Sequence, residues 1–340
     1  MSALAGARGV PGRLPPSVLL GALLWGVFAI VVRPGPLDPA WIHALLLLAP
    51  LVLVPLGLAL VETPLGGGRA GRCLALAGRL QLPAAAVLAA AYLLPQGPLA
   101  AVLALPWLLV AALVAAAGLS RLLARGLRPL WALGVDAGLV YLAVGAAWAV
   151  SDRLGYRPLD FAAVIVVLTA VHFHYAGFAL PIVAGHLLHR SPGRAARLAV
   201  VGVVAGVPLL AVGITATQLG LGPWFETVAA WIVAAAGVLV AGLHLRLALR
   251  AEAPRAARVL WAAAGLALLA GMALAAVYGS RFLVPGARRL DIAWMQALHG
   301  TANTFGFGLA ALLGWCLALP RVSSRAPADS ASGSTEPPQR

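Results

Sequence analysis

Ten apolar runs recur along the chain, separated by short connections rich in arginine, glycine and proline. They lie near 17–32, 41–61, 74–94, 99–119, 130–150, 160–187, 198–220, 224–246, 258–279 and 293–319. Most reach the ~20 residues that a helix needs to cross the hydrocarbon core of a bilayer. In hydrocarbon every backbone N–H and C=O must be paired within the protein, and a helix achieves this alone. Composition agrees: 62% of the 340 residues are hydrophobic and only 10% are charged. That leaves too few polar side chains to cover a water-facing surface. The expected fold is all-α, a polytopic transmembrane bundle of about ten helices. The first run follows Arg8 and Arg13 and has the look of a signal peptide, but its end, VVRPGP, lacks a small-residue cleavage site. The third is the most interrupted, by Arg79, Gln81 and Pro83.

Charge placement gives the expected sidedness. All 24 basic residues are arginine, and the formal net charge is +14. The arginines form no continuous patch, so nucleic acid is excluded as a partner; they cluster between apolar runs, as topology requires. With both termini in the cytoplasm, 18 arginines fall on the cytoplasmic side and six on the other. The expected division is a cytoplasmic N-terminal segment at 1–16, a transmembrane helical domain at 17–320 and a disordered cytoplasmic tail at 321–340. The expected location is the cell membrane, with multiple passes. One outer loop, 280–291, breaks the pattern with Arg281, Arg288 and Arg289, and is read as a binding element. By contrast, Asp152, Arg153, Arg157 and Asp160 are expected to pair on a wet outer surface. Cys73 and Cys316 lie far apart, fit no metal or redox spacing and are read as small residues at membrane boundaries.

Chemistry concentrates in TAVHFHYAGFALP, Thr169 to Pro181. With the sixth helix starting near Asp160, His172 lies about 18 Å deep at 1.5 Å per residue. An ionisable side chain at that depth is a functional candidate by default. Imidazole exchanges protons near neutral pH and also ligates metals. Residues two apart point about 200° apart on a regular helix, so His172 and His174 should serve different faces. Thr169, His172 and Tyr175 share one face. Pro181 frees the carbonyl of Gly177, which favours a local irregularity.

The last run, MQALHGTANTFGFGLAALLGW, places His299 and Asn303 four apart on one face, with Gln296 just before them. This stripe can complete a site with the sixth helix, or serve as hydrogen-bonding glue between helices. Asp136, inside the fifth run, is a candidate general acid or proton carrier, or an ion-pair partner of Arg128. The candidate catalytic set is therefore His172, His174, Tyr175, His299, Asn303 and Asp136. Cofactor and metal ligands remain unassigned. His186 and His189 are read as helix-end and headgroup contacts, and His43 and His244 as isolated boundary residues. Trp25, Trp41, Trp131, Trp224 and Trp294 are read as an aromatic belt. The chain carries no phosphate loop, GxSxG elbow, HExxH or paired CxxC, so ATP-driven work and zinc-protease chemistry are not supported.

In GAAWAVSDRLGYRPLDF, TAVHFHYAGFALP, LHGTANTFGFGLAALLGW and the early LLLLAPLVLVPLGLALVE, the sequence resembles the YndJ-like family of bacterial membrane proteins. The resemblance implies that His172, His174 and His299 are recurring features. It also implies that this chain corresponds to the membrane portion of longer relatives that carry an additional soluble part. Such proteins are often labelled transporters.

Two functions follow from the residues. One is an intramembrane enzyme performing acid–base chemistry, of isomerisation or cyclisation type, or metal-assisted chemistry, on a lipid-soluble small molecule. The alternative is a proton-coupled transporter. A third, blander reading is an assembly partner without chemistry. The expected partners are membrane lipid and a hydrophobic small-molecule substrate.

Overall fold

A computed structural model describes residues 14–61, 68–250 and 252–319. Among these residues the chain forms ten long helices, each matching one apolar run: α1 (Pro16–Val32), α2 (Pro39–Ala59), α3 (Arg69–Ala91), α4 (Pro98–Arg125), α5 (Leu130–Leu154), α6 (Ala163–Arg190), α7 (Arg194–Gln218), α8 (Trp224–Arg250), α9 (Arg255–Gly279) and α10 (Ile292–Ala318). All but α1 are long and apolar enough to cross a membrane. The interrupted third run is helical from Arg69, with Pro83 accommodated inside it. Glu62, the N-terminal arginines and the polar tail lie outside the described residues.

Sequential helices pack side by side, α3 on α4, α4 on α5, and α7 through α9 in series. The centre is α2, 83% of whose apolar window is buried inside the protein, against 28% for α3. Elsewhere large apolar side chains face outward: Leu123 is 76% exposed and Leu249 is 79% exposed. Such surfaces are stable against lipid tails and not against water, so the protein is a multi-pass membrane protein whose helices contact lipid.

Three helices are not regular. Residues Ala49–Leu53 of α2, Phe173–Ala179 of α6, and Met295–Gly300 and Ala302–Leu309 of α10 are π-wound. Proline accounts for the first two. Pro50 and Pro55 in α2, and Pro181 just after the α6 segment, lack the N–H that would bond the carbonyl four residues earlier. Neighbours use the disturbed backbone. The Gln81 amide donates to the Pro50 carbonyl at 2.5 Å. The bare Cα of Gly21 in α1 lies directly against the Leu51 carbonyl, to which Pro55 has no N–H to donate, and a Cβ there would collide with it. In α10 no proline intervenes. Its π-wound stretches carry Gly300, Gly306 and Gly308, which let neighbouring helices approach closely.

Candidate functional site

The π-wound segments of α2, α6 and α10 touch one another pairwise. π-turns concentrate at functional sites because they redirect side chains that a regular helix would align. This junction holds most of the chemistry-bearing residues found in the sequence.

On α6, neighbouring residues part company. His174 is fully buried and turns toward α4 and α5. Its Nδ1 lies 2.7 Å from the Ala170 carbonyl and its Nε2 accepts a 3.0 Å hydrogen bond from the indole N–H of Trp107. The Ala170 contact fixes the proton on Nδ1, and both nitrogens are then engaged. Tyr175 turns the other way, where its hydroxyl donates to the Leu45 carbonyl of α2 at 2.7 Å. Thr304 of α10 stands beside the same phenol. His172 lies one helical turn from Tyr175, within electrostatic reach of His299. Its Nε2 is buried and has no hydrogen-bond partner.

On α10, Nδ1 of His299 is 2.8 Å from the Gly271 carbonyl of α9. A carbonyl only accepts, so Nδ1 carries the proton and Nε2 keeps its lone pair. The Asn303 amide donates to the His299 carbonyl at 2.9 Å, leaving its Oδ1 buried and without a partner. Gly271 provides the room for this, since a Cβ there would overlap the Asn303 amide. His172 is the tenth residue of α6 and His299 the eighth of α10. From the same end of the bundle these positions are about 14 Å and 11 Å along their helices.

The structure thus brings His172, Tyr175, His299 and Asn303 to one junction, and separates His174 and Asp136 from it. Asp136 is fully buried near the other end of the bundle, between Arg121 and Arg125, each at 2.6 Å. Arg128 is not its partner; its carbonyl instead accepts from Arg125 at 3.1 Å. Gln296 also leaves the expected stripe. Its amide donates to the carbonyls of Asp38 and Pro36, at 2.9 and 3.2 Å, and so fastens the α1–α2 connection. Among the described residues no three His, Cys, Asp or Glu side chains converge as metal ligands. A catalytic zinc ordinarily takes three.

Other expectations shift with packing. His244 is fully buried, with Nδ1 3.2 Å from the Val240 carbonyl and Nε2 accepting from Trp315 at 3.4 Å. His186 packs on the same Trp315 ring at 5.5 Å, and its Nε2 is buried without a partner; it is not a headgroup contact. Trp25 and Trp41 are interhelical donors, to the Ala44 carbonyl at 2.7 Å and the Thr301 hydroxyl at 2.9 Å. Trp224 and Trp294 are exposed, as belt residues are. Cys316 is buried beside the Leu56 carbonyl, near the ends of α10 and α2. The unexplained Arg281 is the partner of buried Glu226, at 2.5 Å. Asp152 and Arg153 pair at 2.9 Å but are each only 3% exposed, so their surroundings are not wet. Sequence reasoning missed Trp107, Thr304 and Gly271. The signal for Trp107 is its place in the middle of an apolar run, in LALPWLL, where a belt tryptophan does not belong.

The model of the YndJ-like protein family matches residues 44–307. The chain belongs to the YndJ-like family. It is 32% identical over 201 residues to the uncharacterized membrane protein YndJ of Bacillus subtilis (strain 168). The match covers 58% of this chain and 34% of that relative, so the chain corresponds to about a third of the relative's length. No solved structure matches. The matched region includes all of the junction in α2 and α6 and the site residues of α10.

Proposed function

We propose that this family member is an intramembrane enzyme that moves a proton within a lipid-soluble molecule, with His299 and His172 as the base and acid. One observation carries the reading: two imidazoles within electrostatic reach at mid-membrane depth, that of His172 with a buried Nε2 that no hydrogen bond engages and that of His299 with its Nδ1 anchored on the Gly271 carbonyl. Such atoms are rare in a low-dielectric interior, where polar groups are normally satisfied. His299 Nε2 has a lone pair to accept a C–H proton, and its Nδ1–H is anchored on Gly271, which orients the ring. His172, which carries the proton at the start of the turnover, returns it at a second carbon, and the proton left on His299 then passes back to His172, so the reaction is an isomerisation with no net change in atoms or charge. Asn303 Oδ1 can accept a hydrogen bond from a substrate hydroxyl. Tyr175 acts as a positioning residue, since its hydroxyl is committed to Leu45. His174 and Asp136, both fully engaged, hold the scaffold. His172, His299 and Asn303 are half-buried, so a lipid-soluble substrate reaches them from within the bilayer. The proposed membrane is the cell membrane.

Purified protein in D2O, incubated with a membrane lipid extract, is the direct test. Deuterium incorporated into a lipid-soluble compound, and lost in both His172→Ala and His299→Ala, is the expected result. Labelling that persists in both variants, or that the wild type never produces, rules the reading out.

The second reading, proton-coupled transport, is supported by His186. It lies on α6 about 21 Å beyond His172 and also has a buried, unbonded Nε2. Proteoliposomes that acidify internally only when His172 and His186 are both present would favour it over the enzyme.

A further inference from the structure

We propose that the outward face of α3 docks a transmembrane helix of another protein, one that carries a carboxylate near the middle of the bilayer. The face is separate from the His172–His299 junction and does not depend on the proton-transfer reading. One hydrogen bond sets its depth. Gln81 of α3 is buried and donates to the Pro50 carbonyl of α2. Pro50 is the twelfth of the 21 residues of α2, so Gln81 stands close to the mid-plane of the bundle. Arg79 precedes Gln81 by two residues, about 3 Å along the axis and roughly 200° around it. It therefore points away from α2, and it is exposed. Among the described residues no hydrogen bond or ion pair engages its guanidinium.

A cation facing outward at that depth is costly, and charged side chains inside a membrane ordinarily face the bundle interior and pair there. The backbone adds a second polar group on the same side. Pro83 has no N–H to donate to the Arg79 carbonyl, and Pro83 is itself exposed. Lipid tails satisfy neither the guanidinium nor the carbonyl. The other outward positions suit a neighbouring helix. Ala75 and Ala90 are exposed, Ala86 is half-buried, and a Cβ on Gly78 at the flank would meet open space. The larger Leu76 and Leu80 lie at the edge of this face. On α1, by contrast, Leu19, Leu23, Val27, Ile30 and Val31 are exposed, as suits contact with lipid tails. Small residues let two backbones approach closely, the usual construction of helix contacts in membranes.

Charge complementarity selects the occupant. A second copy of this chain does not supply the anion. Of the carboxylates among the described residues, Asp136, Asp152 and Glu226 are buried, and Asp38, Asp160, Glu252 and Asp291 lie in connections or at helix ends. Two copies joined through α3 would also set Arg79 against Arg79, and like charges repel strongly in a low dielectric. A foreign helix with an aspartate or glutamate at the level of Arg79 meets the guanidinium with a charge-assisted, bidentate bond. A serine, threonine or asparagine one turn away on that helix donates to the Arg79 carbonyl.

Energy transfer in phosphatidylcholine vesicles tests this. The full chain carries a donor fluorophore, and synthetic Leu–Ala transmembrane peptides with one central Glu, Gln or Leu carry the acceptor. The Glu peptide is expected to bind about tenfold more tightly than the Leu peptide, the span of a strong polar contact between membrane helices. Arg79→Leu should abolish that preference, and Arg79→Lys should keep part of it. Ala75→Leu combined with Ala90→Leu, which bulks out the exposed face and leaves every charge in place, should weaken binding of the Glu peptide. A separate arm replaces the peptides with acceptor-labelled phosphatidylglycerol. Equal binding of the Glu and Leu peptides, a preference that survives Arg79→Leu, or binding undiminished by the leucine pair overturns the proposal. Enrichment of phosphatidylglycerol that depends on Arg79, without a peptide preference, also overturns it and assigns the face to lipid headgroups.

Discussion

At the scale of single residues, two histidines separated by one phenylalanine have opposite roles. His174 is held by Ala170 and Trp107 and fills space that Gly145 leaves open; a Cβ on Gly145 would lie 2.7 Å from its Nδ1. His172 is held by no hydrogen bond at Nε2. Stability should therefore divide them. His174→Ala opens a cavity and strands the Trp107 N–H, which costs about 1–3 kcal/mol for the unsatisfied donor alone. His172→Leu removes an unsatisfied polar atom, so it should change stability by less than about 1 kcal/mol or raise it. Detergent-solubilised unfolding midpoints read the difference directly. A His172 variant that unfolds as readily as the His174 variant would show that its imidazole is a structural element. The sequence indicated that the two residues serve different faces, from their spacing alone. It could not show which one is satisfied, because Trp107 lies 67 positions away.

At the scale of elements, the irregular winding of α2, α6 and α10 builds the junction. The irregularity in α6 was legible in Pro181, and that in α2 follows from Pro50 and Pro55. The π-winding of α10 was not legible, since no proline marks it and its glycines read equally as close-packing residues. Packing against α9 is the visible constraint there. Gly271 receives the Asn303 amide and its carbonyl receives the His299 proton. Gly271→Ala should displace Asn303 and destabilise the protein by about 1–3 kcal/mol, the usual cost of overpacking. Gly286→Ala, at a position where a Cβ meets open space, is the matched control. Equal unfolding midpoints for the two variants would mean that α9 and α10 are not locked through this contact.

At the scale of the whole molecule, one end of the bundle is tied together by polar contacts between connections. Gln296 reaches the α1–α2 connection, Gly97 meets the end of α5, Gln218 clamps the α5–α6 loop, and Arg281 pairs with Glu226. The opposite end carries the Asp136 pairs with Arg121 and Arg125. On the arginine bias, that second end is expected to face the cytoplasm. Reporter fusions should then give fluorescence from a cytoplasm-dependent protein at both termini, and phosphatase activity from a periplasm-dependent enzyme inserted near Gly286. The reverse pattern would overturn the assignment and with it the reading of the arginine count.

The sequence by itself determined the spans. Whether a segment prefers hydrocarbon to water depends on its own side chains over about 20 residues, so all ten helices, including the interrupted third, were legible. It also located the polar exceptions, because a histidine or asparagine stands out in an apolar run. Only the tertiary structure decided which face of each helix meets protein and which meets lipid. Lipid tails are as apolar as leucine, so hydrophobic pattern carries no such signal inside a membrane. That is why α2 could not be recognised as the central helix, nor His244 as buried. The same reason hid the surroundings of Asp152 and Arg153, which read as a wet surface pair until Tyr92 and His43, from two other helices, enclosed them.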